Sequence, residues 1–413
     1  MSQPTRRQFI SGAAALGVAS QLPSFAAPAF GASVDENLRS LVVIYLRGGA
    51  DFLNMVIPYT DDTYYASRPT IGMSEEQGIV PLDKKWALHP ALKALEPFYR
   101  EKKLATVLNV GSPHETRSHF DAQDFMEFAA PGDRTVRTGW VNRYLAATAG
   151  ENDGHFRGLA LQSLLPRSFR GDYPVLAAPA GFSTKDDSRV LTDFEKLYGA
   201  DKDSSKDEMG ERKEDRDQVV QSGKVTIEAL GRLIEILSEE KRDTFGYPRS
   251  KFGNGLRSIG RVFAAGEKLE VAGLDYNGWD HHTGQGGVQG RHAPMMLDLA
   301  ESLAAFCRHL GPRLDKTLIV CMTEFGRTVR ENGNAATDHG HGGGMFLLGG
   351  GIKGGKIRGD WKGLSSSSLY EGRDLPVTTD FRDVLAEVLR EHMDFKTPKG
   401  FFPDYRPGRV KLF

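Results

Sequence analysis

The sequence predicts an α/β fold of three layers, with a mostly parallel central sheet and helices on both of its faces. The first observation is a continuous apolar run, Leu41 to Leu46, which is typical of a strand buried on both faces. A helical pattern over 91–99 and a second apolar strand over 104–110 follow it. Another helical pattern spans 118–128, and this alternation of strand and helix indicates βαβ units with right-handed crossovers.

Elements of the same two kinds fill the second half of the chain. An amphipathic helix is predicted over 225–237, because apolar residues recur there every three or four positions. A helix over 297–310 leads into strands at 317–322 and 345–348 and a closing helix at 381–391. We therefore expect residues 33–413 to form a single α/β domain.

The first 32 residues have the composition of an export signal. Arg6 and Arg7 form a twin-arginine pattern, a small-residue apolar stretch covers 12–20, and Ala27-Pro28-Ala29 is a plausible cleavage site. We therefore predict export through the twin-arginine (Tat) translocase, so that the mature protein is periplasmic or secreted. No later run reaches the ~18 uninterrupted apolar residues of a spanning helix, so no stable membrane span is expected after cleavage.

The overall composition argues against a nucleic-acid partner. Charged residues make up 26% of the 413 residues, yet the formal net charge is only −1, so there is no strongly basic field. Charges crowd the segment 184–223, which we interpret as a solvated insertion or lid, or alternatively as a plain flexible loop. Cys307 and Cys321 are predicted to be buried apolar residues, with a single bridge as the alternative.

The strongest chemical pattern lies just beyond the predicted strand at 317–322. Glu324 follows this strand, and Asp338, His339 and His341 arrive together in a glycine-rich turn before the next strand. In open α/β sheets, ligands bind outside the carboxyl ends of the strands. Carboxylate and imidazole groups at that place predict a metal or catalytic site, although each residue alone is equally consistent with a turn cap or a surface position.

A second candidate segment lies where a loop meets the start of the 118–128 helix. Ser118 stands at the predicted helix N-terminus, where free backbone N–H groups favour an anion. Its hydroxyl is interpreted either as a nucleophile or as a helix cap paired with Asp121 in a variant capping box, and the two roles are compatible.

A third segment, GWDHH, precedes the 297–310 helix. Asp280 and His282 alternate in an extended loop, so both side chains can reach one ion, whereas His281 turns away. Mixed nitrogen and oxygen ligands of this kind suit zinc, manganese or iron. Each histidine alone is also consistent with an ordinary surface position.

Five motifs in this order, LRGGAD, RSHFDAQ, GWDHH, TEFGRT and TDHGHGG, resemble those of a Tat-exported bacterial family catalogued as domain of unknown function 1501. The likeness covers essentially all of the mature chain. More broadly, the order of acid, hydroxyl, Asp/His pair, acid and late histidine resembles the alkaline-phosphatase-like superfamily of phosphatases, sulfatases and cofactor-independent phosphoglycerate mutases. The resemblance implies an alkaline-phosphatase-like three-layer sandwich.

The resemblance also implies a role for each matching position. Ser118 would be the nucleophile, with His119 a further catalytic candidate beside it. Arg117 or Arg327 would hold the oxygens of a phosphate or sulfate group, or would instead form a surface salt bridge. The candidate metal ligands are Asp51, which would bridge metals, Asp280, His282, Glu324, Asp338, and His339 or His341.

Two departures from the superfamily bear on the chemistry. Glu324-Phe325-Gly326 stands where relatives have Asp-His-Gly, so one nitrogen ligand is missing, and zinc, manganese, magnesium and calcium all stay candidates. The Cys/Ser-x-Pro-x-Arg motif of formylglycine sulfatases is also missing. The sequence therefore predicts an exported metal-dependent hydrolase of phosphate or sulfate esters, acting on a small molecule or polysaccharide. The alternative is a non-catalytic metal-binding or envelope or polysaccharide-assembly protein on the same fold.

Overall fold

The computed structural model describes residues 38–150, 154, 156–162, 164–179, 228–238 and 243–413. The predicted export signal and the charged segment 184–223 lie outside the described residues. The chain divides into two compact units, a larger one of residues 39–136, 245–256 and 273–413, and a smaller one that includes 137–244 and 257–272. All the candidate site residues belong to the larger unit.

The strands are β1 (Ser40–Arg47), β2 (Val56–Ile57), β3 (Val80–Pro81), β4 (Ala87–Leu88), β5 (Leu104–Gly111), β6 (Gly158–Ala160), β7 (Leu176–Ala177), β8 (Val271–Asn277), β9 (Thr317–Met322), β10 (Gly343–Gly349), β11 (Lys356–Arg358) and β12 (Thr379–Asp380). In the larger unit the strand order is β11, β5, β10, β9, β1, β8, and β12 also pairs with β5. β1 is parallel to β9, and β11 and β12 are parallel to β5, whereas β10 is antiparallel to both of its neighbours. The predicted α/β class with a mostly parallel sheet is confirmed.

The predicted strands coincide with continuous apolar runs of the sequence. Every residue of β5, β9 and β10 is buried, as are the first seven residues of β1. Such strands are covered on both faces, which is why they lack the alternation of a half-exposed strand. Cys321 in β9 and Cys307 are both buried and free of any disulfide. Burial raises the pKa of both thiols, in keeping with the predicted apolar role.

The helices are α1 (Phe52–Met55), α2 (Asp62–Ser67), α3 (Glu96–Arg100), α4 (His119–Glu127), α5 (Trp140–Ala147), α6 (228–238), α7 (Lys251–Ala264), α8 (His292–Leu310) and α9 (Phe381–Glu387), which continues as a π turn, Val388–His392. The helices predicted at 118–128, 297–310 and 381–391 are confirmed. The one predicted at 91–99 is instead a 3₁₀ turn, Pro90–Leu95, followed by α3, because Pro97 has no N–H to continue the ladder. No helix within the described ranges is long and apolar enough to cross a membrane.

One edge of the larger sheet gathers the motif residues. β1 and β9 are in register from Ser40 and Thr317 onward, so the segments that follow them emerge side by side. β10 runs the opposite way, so its beginning lies at the edge where β5 ends, and Gly343 pairs with Val110. The turn before β10 therefore meets the loops that leave β1, β5 and β9.

The smaller unit has its own hydrogen-bonded framework. β6 and β7 form a parallel pair. On α5, buried Asn142 donates from Nδ2 to the carbonyl oxygens of Phe169 (2.8 Å) and Tyr173 (2.7 Å). Glu270 forms an ion pair with Arg157. None of these residues was a candidate for chemistry.

Candidate metal centre

Close backbone contacts at two glycines hold the motif segments together. The TEFGRT and TDHGHGG segments cross where Gly326 N donates to His341 O at 3.0 Å. A Cβ on Gly326 would lie 1.8 Å from the carbonyl oxygen of Gly342, so this crossing requires glycine. Likewise, a Cβ on Gly48, whose φ is +119°, would lie 2.5 Å from the backbone nitrogen of Asp280. The glycines thus let four motifs, LRGGAD, GWDHH, TEFGRT and TDHGHGG, approach one another closely.

His119 is the first residue of α4, and a buried carboxylate orients its ring. Its Nδ1 lies 2.8 Å from Glu324 Oε1, which also accepts from Gln123 Nε2 at 2.8 Å and from Gly48 N at 2.8 Å. Burial disfavours the Glu324 anion, but the bonds from His119 and Gln123 outweigh it and lower the pKa of Glu324. Burial likewise opposes the charged form of His119, yet the same Glu324 bond raises its pKa.

Asp280, in the GWDHH loop, is held by Arg327. Arg327 is 3% exposed, and its Nη2 donates to Asp280 Oδ1 at 2.5 Å. Burial disfavours the Asp280 anion, but the bond and charge of Arg327 outweigh it and lower the pKa of Asp280 to about 2. The other donations from the Arg327 guanidinium end on backbone carbonyls, those of Gly48, Gly49, Trp279 and Thr337. Arg327 therefore fastens the loop instead of facing outward towards a substrate anion.

Three histidine rings of the site direct Nδ1 at an oxygen atom. For His282 this is Asp338 Oδ1 at 2.8 Å, for His339 it is the carbonyl oxygen of Arg117 at 2.8 Å, and for His119 it is the carboxylate described above. A carbonyl or an ionised carboxylate has no hydrogen to donate, so Nδ1 carries a proton, and in the neutral ring Nε2 then keeps its lone pair. Histidines that bind metals are oriented in this way.

The Nε2 atoms face one another and the Asp280 carboxylate. His339 Nε2 lies 3.0 Å from His119 Nε2 and 2.9 Å from His282 Nε2. Asp280 Oδ1 lies 2.9 Å from His282 Nε2 and 3.1 Å from His339 Nε2, and its Oδ2 lies 3.3 Å from His119 Nε2. One ligand atom from each of His119, Asp280 and His339 lies within 4.8 Å of the other two. His282 Nε2 contacts two of these residues, His339 and Asp280. Lone pairs and a carboxylate repel at such distances, and a cation among them removes the repulsion.

The donor atoms fit a borderline metal ion better than a hard one. Tetrahedral zinc ligands at ~2.0–2.1 Å from the ion lie about 3.3 Å apart, close to the spacing of these atoms. Magnesium and calcium prefer oxygen ligands, whereas imidazole suits zinc and other transition metals. Of the four candidate ions, zinc therefore matches this chemistry best, and manganese, the other transition metal among them, prefers oxygen ligands more strongly.

Asp51 and His341 have partners of their own away from this set. Arg68 donates to Asp51 at 2.6 Å and 3.1 Å, and Gln285 Nε2 donates to it at 2.5 Å. These bonds outweigh the effect of burial and lower the pKa of Asp51. His341 is buried and stacked 4.4 Å from the Tyr370 ring, and burial lowers its pKa to about 4. The structure thus brings His339, and not His341, to the donor set, and it does not bring Asp51 there.

Glu324 and Asp338 lie behind the donor atoms, because each bonds the Nδ1 side of a histidine. Phe325 packs beside two of the rings, with its centroid 4.8 Å from that of His119 and 5.1 Å from that of His339. The apolar ring of Phe325 therefore packs against the site. It adds shape but no ligand atom.

Ser118 is the N-cap residue of α4, but its side chain makes no capping hydrogen bond. Asp121 instead pairs with Arg134 at 2.7 Å, so the capping box considered from the sequence does not form. Ser118 is exposed and directly precedes His119. Its hydroxyl is thus not used by the helix.

Arg117 contributes to the site through its backbone. Its carbonyl oxygen holds His339, whereas its guanidinium donates to Asp374 at 2.7 Å and to Glu371 at 2.6 Å. The side chain keeps 28% of its surface exposed. This matches the salt-bridge alternative weighed from the sequence, with one partner buried.

Two residues of the framework were missed by the sequence analysis. Gln123 lies four positions after His119, so both side chains share one face of α4, and this spacing was a usable signal. Thr323 Oγ1 lies 3.1 Å from Glu324 Oε2 and donates to Leu46 O at 2.8 Å. Nothing in the local pattern distinguishes it from any threonine at a strand end.

Several solved structures are similar to the chain at low identity. One is the C-terminal periplasmic domain of EcEptC from Escherichia coli in complex with Zn, 10% identical over 79% of this chain and 77% of that chain, with a TM-score of 0.34. Others are the phosphonate monoester hydrolase SpPMH from Silicibacter pomeroyi (11%, 89% and 78%, TM-score 0.38) and the PsFucS1 sulfatase from Pseudoalteromonas sp. (10%, 91% and 73%, TM-score 0.39). Scores in this range establish neither a shared site nor a shared reaction.

No curated protein matches the sequence. One family model does, over residues 38–399, and its description is "Protein of unknown function (DUF1501)". The match spans all the motif segments and both compact units.

Proposed function

The chain belongs to the DUF1501 family, whose description leaves its reaction open, and we propose that it is a metal-dependent hydrolase of phosphate or sulfate esters. The observation that carries the proposal is the set of facing donor atoms on His119, Asp280 and His339. A divalent ion held there would act as a Lewis acid on an ester oxygen and would lower the pKa of a neighbouring hydroxyl. The order of the sequence motifs supports phosphate or sulfate as the transferred group.

We propose Ser118 as the nucleophile. It is exposed, it directly precedes His119, and it stands at the N-terminus of α4, where backbone N–H groups favour developing negative charge. Attack by Oγ forms a bond to phosphorus or sulfur, the bond to the ester oxygen breaks, and the alcohol leaves with the proton that the Ser118 hydroxyl gives up. Water then attacks the seryl ester, which releases phosphate or sulfate and returns a proton to Oγ.

Neither arginine is well placed to bind the substrate anion strongly. The guanidinium of Arg327 is already hydrogen-bonded to Asp280 of the GWDHH loop, and that of Arg117 is paired with Asp374 and Glu371. The charge of the transferring group would therefore be met chiefly by the ion and the start of α4. On the basis of the sequence, we also propose that the protein is exported to the periplasm through the twin-arginine translocase. Its substrate would be a small-molecule or polysaccharide ester.

The test is metal content and ester hydrolysis of untagged protein on a panel of aryl phosphate monoesters, phosphate diesters and aryl sulfates. We expect turnover that chelator abolishes and zinc or manganese restores. Ser118→Ala should reduce kcat by ~10³-fold or more, as loss of a nucleophile does, whereas the exposed Ser366→Ala should not.

Each contrary result removes a different part of the proposal. Full activity in Ser118→Ala removes the nucleophile, and activity in metal-free protein removes the role of the ion. Bound metal without turnover across the panel would support the alternative, a non-catalytic metal-binding or envelope-assembly protein.

A further inference from the structure

A partly buried series of hydrogen bonds runs from the end of β1 to the ring of His119. Arg47 Nη1 donates to Gln123 Oε1 at 3.0 Å. Gln123 Nε2 donates in turn to Glu324 Oε1 at 2.8 Å, and that same oxygen lies 2.8 Å from His119 Nδ1. The far end of the series is the Nε2 atom that faces the other candidate ligands.

The orientation of the Gln123 amide is fixed by its two neighbours. Arg47 has only donors and the ionised Glu324 has only acceptors, so the amide oxygen must face one and the amide nitrogen the other. A residue at position 123 must therefore accept at one end and donate at the other. Glutamine meets this requirement, whereas the isosteric glutamate, when ionised, has no donor to offer.

Arg47 is itself held from three directions. Its Nε donates to Asp275 at 2.6 Å, its Nη1 also lies 2.9 Å from Glu127, and its Cζ lies 4.4 Å from the centre of the Tyr45 ring. With 12% of its side chain exposed, it has a single well-defined position. The planar fork of arginine serves Asp275, Glu127 and Gln123 together, which the single ammonium of lysine cannot do.

We infer that Gln123 and Arg47 are positioning residues that set the angle of the His119 ring and so the direction of its Nε2 lone pair. The inference rests on the metal site of the proposed function. Neither residue touches the donor atoms. Gln123 holds Glu324, and Arg47 holds Gln123. Loss of a group bonded directly to a metal-binding histidine, as Glu324 is, typically changes metal affinity by ~10–100-fold, so these more distant residues should have effects at the lower end of that range.

The test follows Co²⁺ binding to the full chain by its visible absorption, which responds to ligand geometry, together with thermal unfolding. Gln123→Glu replaces the donor facing Glu324 with an acceptor. We expect Co²⁺ to bind about 10-fold more weakly, at the lower end of the range for a direct partner of a ligand, with altered absorption bands. Arg47→Lys should shift the Co²⁺ absorption bands in the same direction, by a smaller amount than Gln123→Glu.

Asn54→Asp is the matched control. Asn54 is 1% exposed, its Oδ1 accepts from Arg68 Nη1 at 2.7 Å, and its Nδ2 donates to Ile71 O at 2.9 Å. The substitution makes the same amide-to-acid change beside a buried arginine, but Asn54 has no bond to any carboxylate that holds a histidine. We expect a comparable loss of thermal stability with unchanged Co²⁺ bands.

The possible results separate the two proposals. If the wild-type protein binds no Co²⁺, the metal site and the proposed function both fail. If it binds Co²⁺ and Gln123→Glu leaves affinity and bands unchanged, or Asn54→Asp alters them equally, only the positioning role fails. If the Gln123→Glu variant does not fold, the Co²⁺ bands of Arg47→Lys test the positioning role, because this variant retains the positive charge that Asp275 and Glu127 require.

Discussion

The two adjacent histidines of the GWDHH loop belong to two different groups, which use the same side chain in opposite ways. In the outer group of His119, His282 and His339, every Nδ1 is bonded to oxygen and every Nε2 faces a neighbour's donor atom. In the inner group, His281 and His292 lie with ring centroids 5.6 Å apart. Nδ1 of His281 and both nitrogens of His292 have no hydrogen-bond partner among the described residues.

The difference shows that proximity alone does not make a metal site. Burial lowers the pKa of His281 to about 4 and that of His292 to about 3, so both rings are neutral and serve as packing groups. His292 is 1% exposed and stands perpendicular to the Trp279 ring at 5.3 Å. The outer group differs because an oxygen atom accepts a hydrogen bond from Nδ1 of each ring. This bond holds the proton on Nδ1 and leaves Nε2 available as a ligand.

The largest effect is expected from His339→Ala, because its Nε2 contacts both other outer histidines and Asp280. Zinc affinity should fall more than ~100-fold, beyond the loss that follows removal of a group behind a ligand. Isothermal titration with zinc measures this directly. Loss of zinc binding in the inner-group variant His292→Leu, with retention in His339→Ala, would reverse the assignment of the two groups.

A smaller loss is expected when the oxygen behind a ring loses its charge. Glu324→Gln should weaken zinc binding by ~10–100-fold, because the carboxylate no longer holds the proton of His119 on Nδ1. Asp338→Asn should weaken zinc binding by a smaller factor, since the side chain of Asp338 is 50% exposed and water can take its place as the hydrogen-bond acceptor of His282. Competition with a chromophoric chelator gives both constants, and unchanged values in both variants would refute the orientation argument.

The place of the site in the fold could be predicted from the sequence, because the buried strands end where the apolar runs end. The reversed direction of β10 could not. A run such as Met345 to Leu348 is equally apolar in a parallel or antiparallel strand once it is buried on both faces. The reversed strand nevertheless begins at the edge where β5 ends, which places His339 near the other candidate residues.

Which acid or histidine enters the site was decided by partners distant in sequence. Asp51 follows β1 as a ligand would, but Arg68, which belongs to no motif, takes up both of its oxygens. His339 and His341 are separated by a single glycine, and local pattern cannot rank them. The carbonyl of Arg117 orients one and the ring of Tyr370 stacks on the other.

The smallest effect at neutral pH is expected from His292→Leu. Zinc affinity should not change, and the free energy of unfolding should stay the same or rise. Two buried ring nitrogens without partners are removed, and each such group typically costs ~1–3 kcal/mol. Urea unfolding at pH 7 measures this, with His339→Ala as the variant in which zinc affinity alone should respond.

The same variant separates the two groups by pH. The pKa of His292 is about 3 in the folded protein because of burial, against 6.5 when unfolded. A depressed histidine pKa stabilises the fold above the unfolded value, and this stabilisation is lost as pH falls towards the folded value. Between pH 7 and pH 5, the wild type should therefore lose about 2 kcal/mol more unfolding free energy than His292→Leu. Parallel pH profiles would mean that His292 is charged or bonded in the folded protein, and the inner group would then no longer differ from the outer one.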